Sequence, residues 1–281
     1  MSAQASAWPI APQSSGAPWL RPGLCLLARP CLATLQYTPR FLFPEAALVQ
    51  VLAGQLDLAD GTHGLSVSAG PALVMVDPDT CADLRKTPGG SGSARFRSVL
   101  LAFDAELLEA ARREPSGSPP WPASGAPFRS VPLDEDLART VEHAVDGVAA
   151  PGVSDERLQY RLLELLCALR ERGHGFRAAP GNATTRRLRA LLAAAPQQRW
   201  TAAQAGQRLA MSEATLRRRL AAERQRFDDL LADVRMQHAL MLLQTTGWSI
   251  PRIALACGYQ SRARFAERFR RRFGYLPSSV R

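Results

Sequence analysis

Lysine is almost missing from this chain of 281 residues. Lys86 is the single example, so nearly all of the 35 basic side chains are arginines. Part of that bias reflects a GC-rich coding sequence and only part reflects chemistry. Cysteine is sparse and scattered: Cys25, Cys31, Cys81, Cys167 and Cys257 are odd in number, and no pair has C-x-x-C spacing. That spacing indicates neither a zinc site nor a disulfide framework and fits a reducing cytoplasm. There is no run of about 18 apolar residues, so no membrane span is expected. The segment 1–23 is rich in Pro, Ser and Ala and lacks a basic stretch followed by a continuous apolar one. It reads as a disordered tail and not as a secretion signal.

What is present is unevenly placed. Residues 184–281 hold 19 arginines against 6 acidic residues, whereas residues 1–183 balance slightly negative, within an overall charge of +10. A basic back half on a neutral front half fits a polyanion partner for the back half alone. Charge by itself is equally satisfied by a solvated basic face.

From Leu24 to Leu101 the text reads as short strands broken by turn residues. Ala47–Leu52, Gln55–Ala59, Leu65–Val67, Leu73–Val76 and Phe96–Phe103 are apolar or alternating, with Gly54, Asp60–Gly64, Gly70–Pro71 and Gly89–Gly92 between them. Strands at this spacing predict a small sandwich or barrel. Residues 104–113 suit a short helix, and the proline-rich 114–130 suits no regular structure. Two helical patterns follow. One is Leu133–Ala149; the other is Ser154–Arg172, in which Leu158, Leu162, Leu165, Leu166 and Leu169 form one stripe. The stripe fits either a dimer seam or packing against the strands. Residues 174–183 read as a linker.

The back half carries the strongest signal. A helix is expected over Thr185–Ala195. Thr201, with Gln204 as a capping-box partner, starts another that ends at Leu209–Met211. Ser212 caps the next, Glu213 to about Gln225, whose Leu216 and Leu220 face inward. Two short helices across a tight turn make a helix-turn-helix. The pattern recurs: Ser249 caps Ile250–Cys257 with Pro251 in its first turn, Gly258 makes the bend, and Ser261–Phe273 repeats Phe265, Phe269 and Phe273. Between the units, Phe227–Gln244 is one helical pattern, roughly 27 Å long at 1.5 Å per residue. Successive major-groove faces lie about 34 Å apart, so a stiff spacer of this length can serve two grooves at once.

On these residues the stretch from Trp200 to Arg281 resembles the DNA-binding domain of the AraC/XylS transcription regulators. The matching signatures are Met211-Ser212-x-x-x-Leu216-x-Arg218, Val234-Arg235-x-x-x-Ala239-x-x-Leu242-Leu243 and Ile253-Ala254-x-x-Cys257-Gly258-Tyr259. The end, Phe265-x-x-x-Phe269-x-x-x-Phe273-Gly274-x-x-Pro277-Ser278-x-x-Arg281, matches as well. The resemblance implies an α+β protein. Its N-terminal half would be a cupin-like β-barrel with flanking helices over 24–173, sensing an effector and dimerising. Residues 184–281 would form an all-α domain of two helix-turn-helix units joined by a linker helix. It further implies base-facing positions Ala214, Arg217 and Arg218 on the first recognition helix and Arg262, Ala263 and Glu267 on the second. Ser212, Thr215, Ser261 and Arg264 flank them, and Arg219 and Arg268 suit phosphates. Glu267 can accept from cytosine N4 or pair with Arg264, Arg270 or Arg271. Three departures stand out. Glu223-Arg224-Gln225-Arg226 lacks the family's glycine, Ala263 replaces a serine, and Glu267 replaces an arginine.

The expected function is sequence-specific activation of transcription in the cytoplasm. Its partners are double-stranded promoter DNA, RNA polymerase, a small-molecule or protein effector and a second copy, with no cofactor. The rival readings are an architectural DNA binder without sensing and a cupin-type metal enzyme. The enzyme needs converging histidines, and the front half offers only His63 in a turn with His143 and His174 outside the strands. A Cys-dependent alkyl-transfer domain needs more than Cys25 and Cys31. Arg40, Arg95 and Arg97 read as exposed strand arginines or as contacts to an anionic ligand.

Overall fold

The computed structural model describes residues 16–90, 95–113, 125–178 and 184–280. The first 15 residues of the expected tail, Pro115 to Pro122, the linker residues 179–183 and Arg281 lie outside the described residues. Among those described, the front half is two antiparallel sheets. Seven strands form the first: β1 (Trp19–Arg21), β2 (Cys25–Ala28), β3 (Cys31–Leu32), β5 (Ala46–Ala53), β8 (Ala72–Val76), β10 (Phe96–Phe103) and β11 (Phe128–Pro132). Its order is β1-β2-β10-β5-β8-β11, with β3 also on β10. The second sheet runs β4-β9-β6-β7, from β4 (Gln36–Phe43), β6 (Gln55–Ala59), β7 (Gly64–Ser68) and β9 (Thr80–Thr87).

β5 shows why the central strands read as unbroken apolar runs. Side chains of a strand alternate between faces. Ala46 and Leu48 enter a core shared with the N-terminal helices, and Ala47, Val49 and Val51 enter the core on the other face. Both faces are covered, so the polar half of the usual alternation is absent. The covering helices are α1 (Ala105–Arg112), α2 (Glu135–Ala149) and α3 (Asp155–Glu171), capped by Asp104, Asp134 and Ser154.

Several expectations are corrected here. Trp19–Arg21, expected within the disordered tail, form β1 and pair with β2. The proline-rich stretch ends in a strand, since Phe128–Pro132 pairs with β8 along its whole length. Residues 174–178 are not a loose linker: Phe176 is buried against Phe103, with ring centroids 5.6 Å apart, and the Arg177 amide donates to Asp77 Oδ1 at 3.0 Å. The leucine stripe of α3 is no seam. Leu158, Leu162, Leu165, Leu166 and Leu169 are at most 1% exposed within the single chain and pack with α2 and the first sheet. The single barrel expected for 24–173 is found as these two sheets.

The back half continues as α4 (Thr184–Ala194), α5 (Ala202–Arg208), α6 (Glu213–Ala222), α7 (Phe227–Thr245), α8 (Ile250–Ala256), α9 (Arg262–Phe273) and a final 3₁₀ turn, Pro277–Val280. It has two cores. The first helix-turn-helix unit, α5 and α6, closes on α4 and the start of α7 through Leu188, Leu192, Trp200, Leu216, Leu220 and Leu230. The second unit, α8 and α9, shares one core with the rest of α7 and with the sheets, from Leu32, Phe43 and Phe96 to Leu240, Phe269 and Phe273. A buried polar seam runs through this second junction. Lys86 Nζ donates to Gln244 Oε1 at 2.8 Å, the Gln244 amide donates to Gln36 Oε1, and Gln36 Nε2 donates to Tyr275 Oη at 2.8 Å. Tyr275 also meets Thr38 at 3.1 Å, and Gln237 donates to the Leu42 carbonyl at 3.2 Å.

Candidate nucleic-acid interface

Each recognition helix is set by the chemistry of its own start. In the first unit the Thr201 and Gln204 side chains cap α5 reciprocally. Gly206 sits under the turn, where an added Cβ would lie 2.8 Å from the Met211 carbonyl. Ala210 takes the left-handed bend, at φ +57°. Ser212 then caps α6: its Oγ accepts from the Thr215 amide at 3.2 Å and donates to Thr215 Oγ1 at 2.9 Å. The second unit repeats the plan with Ser249 and Pro251 at the start of α8, Gly258 at φ +78° in the bend, and Ser261 capping α9.

These caps aim the helices. On α6, Leu216 and Leu220 are buried, and Ala214, Arg217, Arg218 and Arg219 are exposed on the other side. Arg217 Nε rests 2.8 Å from Glu213 Oε1, a surface pair that a phosphate or a base can displace at little cost. On α9, Phe265, Phe269 and Phe273 are at most 1% exposed, and Arg262, Ala263, Arg264, Glu267 and Arg268 face outward. Among the described residues Glu267 forms no ion pair with Arg264, Arg270 or Arg271. Arg272 turns away from this face: its Nε lies 3.2 Å from Asp233 and its Nη2 donates to the Arg40 carbonyl at 3.0 Å.

Beside α9 lies an open groove of about 880 Å³, floored by α7 and lined by Arg199, Arg264, Glu267, Arg268 and Arg271. Arg199 and Arg271 are not among the contact residues that the sequence predicts. Arg199 sits in a loop with no periodicity, and Arg271 was one arginine among six on α9. With α7 at 19 residues, the spacer is about 28 Å long. Two caps, two arginine-bearing faces and one rigid connector form a positively charged surface suited to a double helix.

The end of α6 lacks the glycine that the resemblance to AraC/XylS regulators would place there. The helix stops at Ala222, three residues earlier than expected, and Arg224 adopts the left-handed conformation at φ +56°. The neighbouring Glu223 is turned to use. Its carboxylate accepts from the amides of Thr184 and Thr185 at 2.8 and 2.9 Å, satisfying two free amides at the start of α4.

The fold and this surface define a protein with two helix-turn-helix units joined by one helix. The family model described as a helix-turn-helix domain matches residues 206–281. The chain is 39% identical over 79 residues to the HTH-type transcriptional regulator GadX of Escherichia coli K12, covering 28% of this chain and 29% of that one. It is 28% identical over 162 residues to the transcriptional regulator SirC of Salmonella typhimurium, covering 54% and 55%. The chain thus spans less than a third of GadX and about half of SirC. Across both halves the fold is similar to that of apo ToxT from Vibrio cholerae, with a TM-score of 0.62 at 13% identity over 91% of this chain and 96% of that one. Among the described residues there is no group of three or more His, Cys, Asp or Glu placed to hold a metal, and no helix is long and apolar enough to cross a membrane.

Proposed function

We propose that the chain is a cytoplasmic transcription regulator, an activator acting with RNA polymerase, that lays α6 and α9 in successive major grooves of promoter DNA. One observation carries this reading: two serine-capped helices each expose arginines opposite a buried apolar stripe, and one 19-residue helix joins the two units. Arginine is the side chain whose fork matches guanine edges and phosphates. In this reading Arg217, Arg218 and Arg262 read bases, Glu267 accepts from cytosine, and Arg219, Arg264 and Arg268 hold the backbone. Ser212, Thr215 and Ser261 set the helix starts against the phosphates, and Ala214 and Ala263 allow close approach.

The two-sheet half is the sensing unit. Its apolar core is continuous with that of the second helix-turn-helix unit, so a ligand that shifts the sheets shifts α7 and α9. A fatty acid is the effector class to try first, because a structure of ToxT, which has this fold, holds an unsaturated fatty acid. The full chain should bind promoter fragments from its host genome with an affinity that falls steeply as salt rises, since each arginine–phosphate contact releases counterions. An effector should raise its melting temperature and change that affinity. A folded chain whose binding to promoter and to random duplexes is equal at every salt concentration would contradict the reading.

A further inference from the structure

Three separate elements meet at one side chain. Arg235 stands on α7, halfway between the two units. Its Nε donates to the Pro196 carbonyl at 3.0 Å and its Nη2 to the Gln198 carbonyl at 2.9 Å, both in the loop that leads into α5. The same guanidinium lies over the ring of Tyr259, with its carbon 5.7 Å from the centroid, in the bend of the second unit. Gly258 completes the junction. A Cβ there would come within 2.8 Å of Arg235 Nη2 and 3.0 Å of the Pro196 carbonyl. The second unit's bend is therefore pressed against the first unit's entry loop, with the guanidinium between them.

The chemistry suits a fixed joint. Two parallel N–H donors on a rigid plane hold two carbonyls in one geometry, which a lysine cannot do. The hydrophobic cores offer little restraint here. The core of the first unit and the core of the second are separate clusters, and only α7 runs through both. A single helix constrains distance well and rotation of the packed units less well. The Arg235 junction is a direct cross-link between the two helix-turn-helix units besides α7 itself.

We propose that Arg235 is a positioning residue that fixes the angle between the two recognition helices, and so sets which separation of half-sites the protein accepts. This rests on the two-groove reading above. It does not require Arg235 to touch DNA.

The test uses the full chain and a duplex obtained from it by randomised-site selection, then remade with one or two base pairs inserted or deleted between its two conserved clusters. The wild type should lose at least about tenfold in affinity on a two-base-pair change, the effect of about 1.4 kcal/mol. Arg235→Met should bind the original duplex more weakly and flatten that ratio to about threefold or less. Arg235→Lys should recover only part of the discrimination. Gly258→Ala, which displaces the guanidinium from the other side, should flatten it too, and it decides the matter if Arg235→Met fails to fold. A folded Arg235→Met or Gly258→Ala protein with the wild-type spacing ratio overturns the proposal while leaving the two-groove reading intact. A wild type that selects a single cluster, or none, overturns that reading and the proposal with it.

Discussion

Lys86, the chain's one lysine, places its Nζ 2.8 Å from Gln244 Oε1, joining strand β9 of the front half to helix α7 of the back half. The pair is buried, and burial pushes the Lys86 ammonium down to about 7. In the unfolded chain the same group keeps a value near 10.4. Between those two values the unfolded state binds a proton that the folded state does not, so folding stability rises with pH across that window. Below it the folded protein carries the buried charge and the penalty is fully present. Denaturation of the wild type and Lys86→Met over pH 6–10 should show the stability of the wild type relative to the variant climbing from about pH 7 upward. A difference that stays flat over that range contradicts the burial of this amine.

The leucine stripe of α3 gives a second outcome. Leu162 and Leu166 are at most 1% exposed inside the single chain. Leu162→Ala should cost about 2–5 kcal/mol of stability by opening a cavity in a packed core. Sedimentation should show the same oligomeric state as the wild type. A variant of unchanged stability but altered association would return the stripe to the role of a seam.

The junction after α6 offers a third. Arg224 at φ +56° bears a left-handed conformation that costs a non-glycine residue roughly 1–2 kcal/mol. Arg224→Gly should therefore stabilise the chain by about 1 kcal/mol, less glycine's own entropic cost. Glu223→Ala should destabilise it by about 1 kcal/mol, because two amides at the start of α4 lose their acceptor. Burial works to raise the Glu223 carboxyl, but the bonds from Thr185 and Thr184 together hold it below its ordinary value. Its contribution is present above about pH 4 and lost as pH falls through the folded value. The gap between wild type and Glu223→Ala should thus close in acid, as read by thermal melts at pH 7 and pH 3.

These particulars show what the sequence can carry. Both helix-turn-helix units were legible because their signals are local: a serine cap, an apolar residue every third or fourth position, a bend. Strands β5 to β8 and β10 were legible for the same reason. β4 and β9 were not. Their buried positions mix apolar Phe43, Ala82 and Leu84 with polar Gln36, Thr38 and Lys86, whose partners Gln244 and Tyr275 lie far along the chain, so the apolar alternation is broken in the sequence. β4 also contains Pro39, next to a register shift and the left-handed Arg40, on the edge of its sheet where a proline is tolerated. The leucines of α3 were visible as a stripe, but what covers a stripe is a tertiary fact. The role of Arg235 was equally hidden: a signature arginine is visible in the text, and the two backbone carbonyls it holds are not.

The proposed readers divide into two classes, which single substitutions should separate. Arg218→Ala and Arg262→Ala should each relax preference at one cluster of bases, at about 1–3 kcal/mol per lost guanine contact. Arg268→Ala should weaken binding to all duplexes about equally, as loss of a phosphate contact does. Competition binding against single-base variants of the site distinguishes the two patterns.

The central claim is that α6 and α9 enter two successive grooves, and randomised-site selection with the full wild-type chain tests it most directly. The account predicts a selected site with two conserved base clusters about 10 base pairs apart, one altered by Arg218→Ala and the other by Arg262→Ala. A site with a single conserved cluster, or one in which both substitutions relax the same positions, would contradict it.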